Sequence, residues 1–212
     1  MSPSVRTKTP EQAEKILTVA ARLFANHRFH EARMEDLAAA AGVGKGTLYR
    51  YFKDKEELYL ALLERASAGL SQRLDEAMTG PEGPRAKLET VVAAIFIYFD
   101  ENPHLFDLIQ HAEAMQRAGS NFPWQHARNH SREVLLQLFE EGRASGEFVI
   151  ADSETAVLML QGGLRALYRF GNKPRPADQV RHAVELFLHG AAACLDKKPL
   201  RNGRNTRTAS RA

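Results

Sequence analysis

The chain has 212 residues, enough for one large domain or two small ones with a hydrophobic core that needs neither metal nor disulfide staples. Alanine (31) and leucine (24) outnumber valine plus isoleucine (15), which favours helices over sheets and predicts an all-α fold. The net charge of +3 is uneven: residues 1–55 carry +4, residues 56–195 carry −6 and residues 196–212 carry +5, which indicates an anionic partner for one end of the chain.

Three features bear on where the protein works. The longest unbroken apolar run, Val91 to Phe99, has nine residues, whereas a membrane-spanning helix needs about 20. The N-terminus has no apolar segment of the signal-peptide type, and the single cysteine, Cys194, has no second cysteine to pair with. We therefore expect a cytoplasmic protein without a membrane partner, in which Cys194 is a small buried apolar residue.

The first two helices are marked by caps and by apolar spacing. Thr9 and Pro10 are typical of a helix N-terminus, and the apolar residues that follow at helical spacing end near Asn26. A second helix is predicted over Met34–Ala41. Gly42 is expected to close it in the left-handed conformation.

A tight glycine turn precedes the third predicted helix, Lys45–Phe52, whose inward positions are Leu48 and Phe52. Two short helices joined by such a turn form a helix-turn-helix. The fourth helix is predicted to begin after Asp54 as its N-cap and to run to about Met78. Its length suggests that it joins the N-terminal unit to the rest of the chain.

Beyond a proline- and glycine-rich loop at residues 79–84, the pattern predicts five more helices separated by proline or glycine. They cover residues 85–101, 103–117, 125–144, 152–171 and 177–195. Residues 196–212 are polar and basic, and we expect a disordered tail there. The predicted domains are thus residues 1–55 and 56–195, followed by the tail.

The most specific signal lies between Ile16 and Leu63. It contains AGVGKGTLYRYF at 41–52 and KDKEEL at 53–58, and it resembles the N-terminal DNA-binding domain of the TetR family of bacterial transcriptional regulators. The resemblance covers about a quarter of the chain. It implies a three-helix, helix-turn-helix DNA-binding domain followed by a helical domain for ligand binding and dimerisation, in a homodimer that binds a double-stranded DNA operator.

The third predicted helix has the residues that major-groove binding requires. Such a helix needs small residues where its backbone approaches DNA and donors on its outward face, and residues 44–55 carry +3. By the family pattern Lys45 contacts bases, while Thr47, Tyr49 and Lys55 contact phosphates. The alternative is a solvated surface with the tyrosines packed internally. The predicted DNA-binding residues are Arg33, Lys45, Gly46, Thr47, Tyr49, Arg50, Tyr51 and Lys55.

One departure from the family pattern concerns the start of the second helix. Family members usually have Thr or Ser there, as a cap and a phosphate ligand, whereas this chain has Ala32, Arg33 and Met34. Losing such a cap weakens a helix by about 1 kcal/mol. Arg33 is included as a longer, charged replacement for the phosphate contact.

An aromatic cluster in the second domain is the candidate ligand site that the resemblance implies. Residues 95–124 hold six of the aromatic side chains, and an apolar chamber with a few polar groups is typical of small-molecule sites. The alternative is an ordinary aromatic core. The predicted ligand-binding residues are Phe96, Phe99, Phe106, Gln110, His111, Met115 and Trp124.

The predicted dimer interface lies on the helices at 125–144 and 152–171. Glycine inside a helix costs about 1 kcal/mol relative to alanine, so the Gly162–Gly163 pair indicates a close approach between helices. The alternative is packing within one subunit. The predicted interface residues are Leu135, Leu138, Leu160, Gly163 and Leu167.

No motif indicates a metal, a cofactor or catalysis. His126 and His130 are spaced i, i+4 but lack an evident third ligand, and the sequence has no nucleophile elbow, phosphate-binding glycine loop or His-Glu-x-x-His signature. We therefore predict a non-enzymatic repressor that a small apolar or amphipathic effector releases from a palindromic operator. The alternatives are a helical enzyme or binding module that retains the DNA-binding domain, and a DNA-binding regulator without a ligand.

Overall fold

The computed structural model describes residues 9–26, 31–80, 82–106, 108–109, 123–176 and 178–192. Within these ranges the regular structure is entirely helical, which confirms the predicted all-α fold. The helices are α1 (Pro10–Asn26), α2 (Met34–Ala41), α3 (Lys45–Tyr51), α4 (Lys55–Thr79), α5 (Pro84–Glu101), α6 (Pro123–Ser145), α7 (Ser153–Phe170) and α8 (Gln179–Ala192).

Side-chain caps explain why several helices begin where the sequence predicts. The backbone N–H of Glu57 donates to the Asp54 carboxylate at 2.8 Å at the start of α4. At the start of α7 the Asp152 carboxylate accepts from the backbone N–H groups of Glu154 and Thr155, each at 3.2 Å. Such bonds satisfy amide groups that the helix itself leaves unpaired.

The first three helices and the start of α4 enclose one hydrophobic cluster, the N-terminal cluster. Ile16 from α1, Leu37 from α2 and Leu48 from α3 are almost completely buried in it. Leu58 and Leu62 from α4 complete it. The N-terminal unit therefore includes the first two turns of α4.

The remaining helices form a larger bundle around a second cluster. In this bundle α4 packs most extensively against α6 and also packs against α5, while α5 contacts α8 and α6 contacts α7. Tyr59 and Leu63 of α4 belong to this second cluster, next to Leu58 and Leu62 of the first. The division at residue 55 stays a prediction, but α4 is shared by both cores.

Two predicted segments are described only in part. Within the helix predicted at 103–117, residues 104–106 and 108–109 are helical, and residues 110–117 lie outside the described ranges. Cys194 and the tail at 196–212 also lie outside them. Of the described residues, no helix combines the length and the apolar character that crossing a membrane requires.

Candidate nucleic-acid interface and ligand chamber

A glycine turn fixes the angle between α2 and α3. Gly42 has φ 65°, in the left-handed region, and its N–H donates to the carbonyls of Ala38 and Ala39. Val43 N–H then donates to the Ala38 carbonyl at 3.0 Å. Only a residue tolerant of positive φ closes α2 in this way without strain, so the sequence places the turn where α3 can project from the domain.

The buried and exposed sides of α3 are clearly separated. Leu48 is fully buried, and Phe52, which caps the helix, is 6% exposed. Lys45, Gly46 and Tyr49 are exposed on the other side. Thr47 and Arg50 are partly exposed beside them, so five of the predicted DNA-binding residues share one outward surface.

Tyr51 does not share that surface. Its ring is 8% exposed and packs in the N-terminal cluster, and its hydroxyl accepts a hydrogen bond from the Thr9 backbone N–H at 2.8 Å. This bond lowers the pKa of the hydroxyl. Tyr51 was predicted to contact DNA, and its burial corrects that prediction. Position 51 lies one turn after Leu48, on the inward face of the helix.

Charged groups flank the outward surface. Lys45 Nζ lies 2.6 Å from Glu35 Oε1 on α2, and both side chains are solvent-exposed. The Arg50 guanidinium carbon lies 5.6 Å from the centre of the Tyr51 ring. Lys55, in the first turn of α4, is half-buried, and burial lowers its pKa. Arg33 is exposed at the N-cap of α2 and makes no side-chain cap bond, as its residue type predicts.

A cavity of about 320 Å³ lies between α4, α5, α6, α7 and the helical residues at 104–106 and 108–109. We call it the chamber. Its described lining comprises Leu70, Ile95, Phe96, Phe99, Phe106, Ile109, Trp124, Ala127, Arg128, Ser131, Leu158, Gln161, Gly162, Leu164, Arg165 and Tyr168. Its volume is at the lower end of the range of small-molecule sites.

Four of the predicted ligand-binding residues lie together in this lining: Phe96, Phe99, Phe106 and Trp124. The Phe99 ring centre is 6.0 Å from that of Trp124, so these two rings form an aromatic wall. Gln110, His111 and Met115 lie outside the described residues.

Sequence reasoning missed the polar lining residues on α6 and α7. They are Arg128, Ser131, Gln161, Arg165 and Tyr168. On each helix the polar members are spaced i, i+3 or i, i+4, so each pair lies on one helix face. That spacing was available in the sequence, but the packing of the two faces against each other was not.

Hydrogen bonds connect the chamber walls to α4. The Tyr59 hydroxyl donates to the Leu108 carbonyl, next to the lining residue Ile109. The Ala127 backbone N–H donates to the Ser67 hydroxyl at 3.0 Å, and the Tyr98 hydroxyl donates to the Ala66 carbonyl at 2.8 Å. Three wall segments are thus tied to one helix.

The predicted dimer interface needs correction. Leu135 and Leu138 are fully buried and Leu160 is 4% exposed, all in the core of the bundle, and Leu167 packs partly buried against the same core. Only Gly163 is exposed. The predicted apolar stripe of α7 lies at the boundary between core and solvent. Positions 160 and 167 turn towards the core, while positions 163 and 170 turn towards solvent.

The solvent-exposed apolar face of α7 consists of Met159, Gly163, Ala166 and Phe170. Met159 is 68% exposed and Phe170 is 79% exposed. A Cβ atom added to Gly163 would meet none of the described atoms within 4 Å. We call these four residues the α7 face; each of them is solvent-exposed among the described residues of one subunit.

Comparison with known proteins supplies the remaining evidence. Residues 16–62 match the family model of bacterial regulatory proteins of the tetR family. The structure of the TetR family transcriptional regulator PfmR from Thermus thermophilus superimposes with a TM-score of 0.69 and 26% identity, over 82% of this chain and 97% of that one. The transcriptional repressor KstR2 of Mycolicibacterium smegmatis is 27% identical over 70% of this chain and 73% of its own.

The N-terminal unit is a DNA-binding domain of the TetR family. The TetR match, residues 16–62, begins and ends with members of the N-terminal cluster, Ile16 and Leu62. The family pattern and the first core therefore delimit the same unit.

A further relative aligns over a shorter region. The transcriptional activator FasR of Mycolicibacterium smegmatis is 32% identical over 104 residues. That region is 49% of this chain and 48% of FasR, so the chain spans about half the length of that relative.

His126 and His130, the pair spaced i, i+4, make other contacts in the part of the chain that the structure describes. His130 Nε2 lies 2.8 Å from Asp75 Oδ1, and the His126 and His130 rings stack with centres 6.4 Å apart. The described ranges contain no group of three or more His, Cys, Asp or Glu side chains suited to a metal ion.

Proposed function

We propose that this TetR-family chain is a homodimeric transcriptional regulator that binds a DNA operator through α3 and responds to a small apolar or amphipathic effector in the chamber. The observation that carries the proposal is the separation of α3 into an inward side held by Leu48 and an outward side that presents Lys45, Thr47, Tyr49 and Arg50.

The DNA contacts follow from the geometry of α3. Gly46 leaves the start of the helix without a side chain, so the backbone can approach the major groove. Lys45 then reaches base edges, and Thr47 and Tyr49 reach phosphates. Lys55 and Arg33 extend the phosphate contacts along the neighbouring helices, and each such contact adds affinity that salt weakens.

The effector response uses α4. Tyr59 and Ser67 of α4 hold the chamber walls, and Leu58 and Leu62 of the same helix pack in the N-terminal cluster. Arg65 of α4 also donates to Thr18 Oγ1 at 3.1 Å and lies 3.3 Å from the Glu14 carboxylate, both on α1. An effector that displaces the walls displaces α4 and with it the DNA-binding unit.

Dimerisation buries the α7 face against a second copy of the chain. Gly163 permits a close crossing of the two copies of α7, while Met159 and Phe170 supply apolar area that is otherwise exposed to water. A two-fold dimer also accounts for recognition of two half-sites. Leu186 of α8 is a further large apolar side chain that is exposed, at 78%.

We favour repression over activation. KstR2, described as a repressor, aligns over 70% of this chain, whereas FasR, described as an activator, aligns over 49%. A reporter gene placed behind the operator distinguishes repression from activation. Deletion of the regulator raises reporter expression if the regulator represses, and lowers it if the regulator activates.

The DNA proposal is tested with a labelled fragment from upstream of the protein's own gene. Fluorescence anisotropy should show that Lys45→Ala and Arg50→Ala each weaken binding by about 1 to 3 kcal/mol, the usual range for a base contact. Arg181→Ala removes an equal charge from an exposed site on α8 and should bind like wild type. If both α3 variants are folded and bind like wild type, α3 does not contact the DNA.

A further inference from the structure

The chamber is open to solvent along α7. Among the described lining residues, the solvent-exposed ones are Arg128 of α6 and Leu158, Gly162 and Arg165 of α7. Leu158 is 62% exposed, and a leucine that lines a cavity while most of it is exposed lies at the edge of the opening. We call the two apolar members on α7, Leu158 and Gly162, the rim of the chamber.

The rim and the α7 face are neighbouring strips of one helix. Each residue of an α-helix turns about 100° from the one before, so Ala166 of the α7 face is about 40° round the helix from Gly162 of the rim and one turn along it. Met159 of the face directly follows Leu158 of the rim. The axes of two packed helices are about 8–10 Å apart, so a helix seated on Gly163 and Ala166 also lies against Gly162. Whatever covers the α7 face therefore covers the edge of the chamber.

The charge along α7 fits a second, antiparallel copy of the same helix. Residues 152–161 carry −2 and residues 162–170 carry +2. When two copies cross antiparallel about Gly163, the basic end of each lies beside the acidic end of the other, and the helix dipoles are also opposed. Arg132 of α6 already pairs with Glu154 within the subunit, so this attraction sets the orientation, while burial of Met159 and Phe170 supplies most of the affinity.

We infer that the chamber is completed by the second copy of the chain: the partner that covers the α7 face also covers the rim and forms the outer wall of the cavity. A ligand bound there gains apolar contact with the partner, so it binds the dimer more tightly than the monomer. By linkage the ligand also strengthens the dimer. This inference rests on the proposed dimer and effector site, and it adds that the site is incomplete in one subunit.

An uncharged apolar dye, N-phenyl-1-naphthylamine, tests this coupling without DNA. Energy transfer to the dye from Trp124, the single tryptophan of the chain and a lining residue, reports binding in the chamber of the full-length protein. Dilution below the dimer dissociation constant should weaken dye binding by roughly fivefold to a hundredfold, the usual range of coupling between two binding events. Sedimentation with saturating dye should show a dimer dissociation constant lowered by at least the same factor.

Two variants test the geometry from opposite sides. Gly163→Leu changes the α7 face, and Gly163 is outside the described lining, yet the variant should bind the dye as weakly as the diluted wild type. Leu158→Lys changes the rim and not the α7 face, yet it should weaken the dimer, because the partner would bury a charge there. Ala144→Leu and Ala144→Lys, at an exposed position of α6 outside both surfaces, are the matched controls and should behave as wild type.

The inference is overturned if monomer and dimer bind the dye equally, if Leu158→Lys dimerises like wild type, or if the dye receives no energy from Trp124. Equal binding by a monomeric Gly163→Leu variant and the wild-type dimer would leave the proposed function intact, since the α7 interface would still stand. A wild-type chain that stays monomeric, or a dimeric Gly163→Leu variant, would instead remove the proposed interface and the inference with it.

Discussion

Lys45, the first residue of α3, forms an ion pair with Glu35 in the first turn of α2, with Nζ 2.6 Å from Oε1. The hydrogen bond from Lys45 holds the pKa of Glu35 below its usual value, and the same contact raises the pKa of Lys45. In the proposed complex this carboxylate faces the DNA, where it competes with phosphate and base acceptors for the same ammonium group.

Glu35→Gln should therefore strengthen DNA binding. It frees Lys45 and removes a negative charge from the DNA-facing surface, so affinity should rise several-fold and log K should fall more steeply with log salt, by up to about one unit of slope. Anisotropy titrations at several salt concentrations measure both. Asp36→Asn is the control, since Asp36 is an exposed neighbouring carboxylate. An equal gain from Asp36→Asn would show that total charge, and not the ion pair, limits affinity.

His104 should make stability depend on pH. Burial, with a smaller effect of nearby Arg65, lowers the pKa of His104 from 6.5 to about 4. Between these two values the unfolded chain binds a proton that the folded chain does not, so stability falls as pH falls. Between about pH 7 and about pH 5 the loss from this residue should be about 2 kcal/mol.

His104→Leu should remove that dependence. Among the described residues, Nδ1 of His104 is buried without a hydrogen-bond partner, so leucine should also cost little stability near neutral pH. Urea unfolding of wild type and variant at both pH values provides the comparison. If both lose the same free energy on acidification, His104 is not the group that titrates.

The α7 face predicts opposite outcomes for two neighbouring substitutions. Because a Cβ atom at position 163 would meet no described atom within 4 Å, the Gly163→Leu monomer should keep its stability or gain up to about 1 kcal/mol from helix propensity, while the dimer dissociates. Leu160→Ala should lower the free energy of unfolding by about 2 to 5 kcal/mol, since Leu160 is buried. Sedimentation and urea unfolding on the same samples separate the effects. A dimeric Gly163→Leu variant would place the interface elsewhere.

Short-range sequence signals predicted where helices begin and end. Gly42 closes α2 in the left-handed conformation, and Asp54 caps α4, each as its residue type predicts. These features depend on a few neighbouring residues, so the sequence contains them directly. Four of the five aromatic residues in the described chamber lining were also predictable, because large apolar side chains concentrated in one region must pack together.

Features that depend on packing between helices were not predictable in this way. On α7 both Leu160 and Met159 are apolar, yet one is buried and the other is 68% exposed. Periodicity defines a stripe, but it does not say where along that stripe the core ends. Arg128 and Arg165 appear in the sequence as ordinary charged surface residues, and only the packing of α6 on α7 brings them to one cavity.

Selection of DNA from a random-sequence pool tests the central claim, sequence-specific recognition by α3 in a two-fold dimer, most directly. The full-length wild-type chain should enrich a palindrome whose half-sites lie about one helical turn apart, and the variant Lys45→Ala, Arg50→Ala should not enrich it. The absence of any enriched sequence with wild type, or the same palindrome enriched by the double variant, would contradict the account.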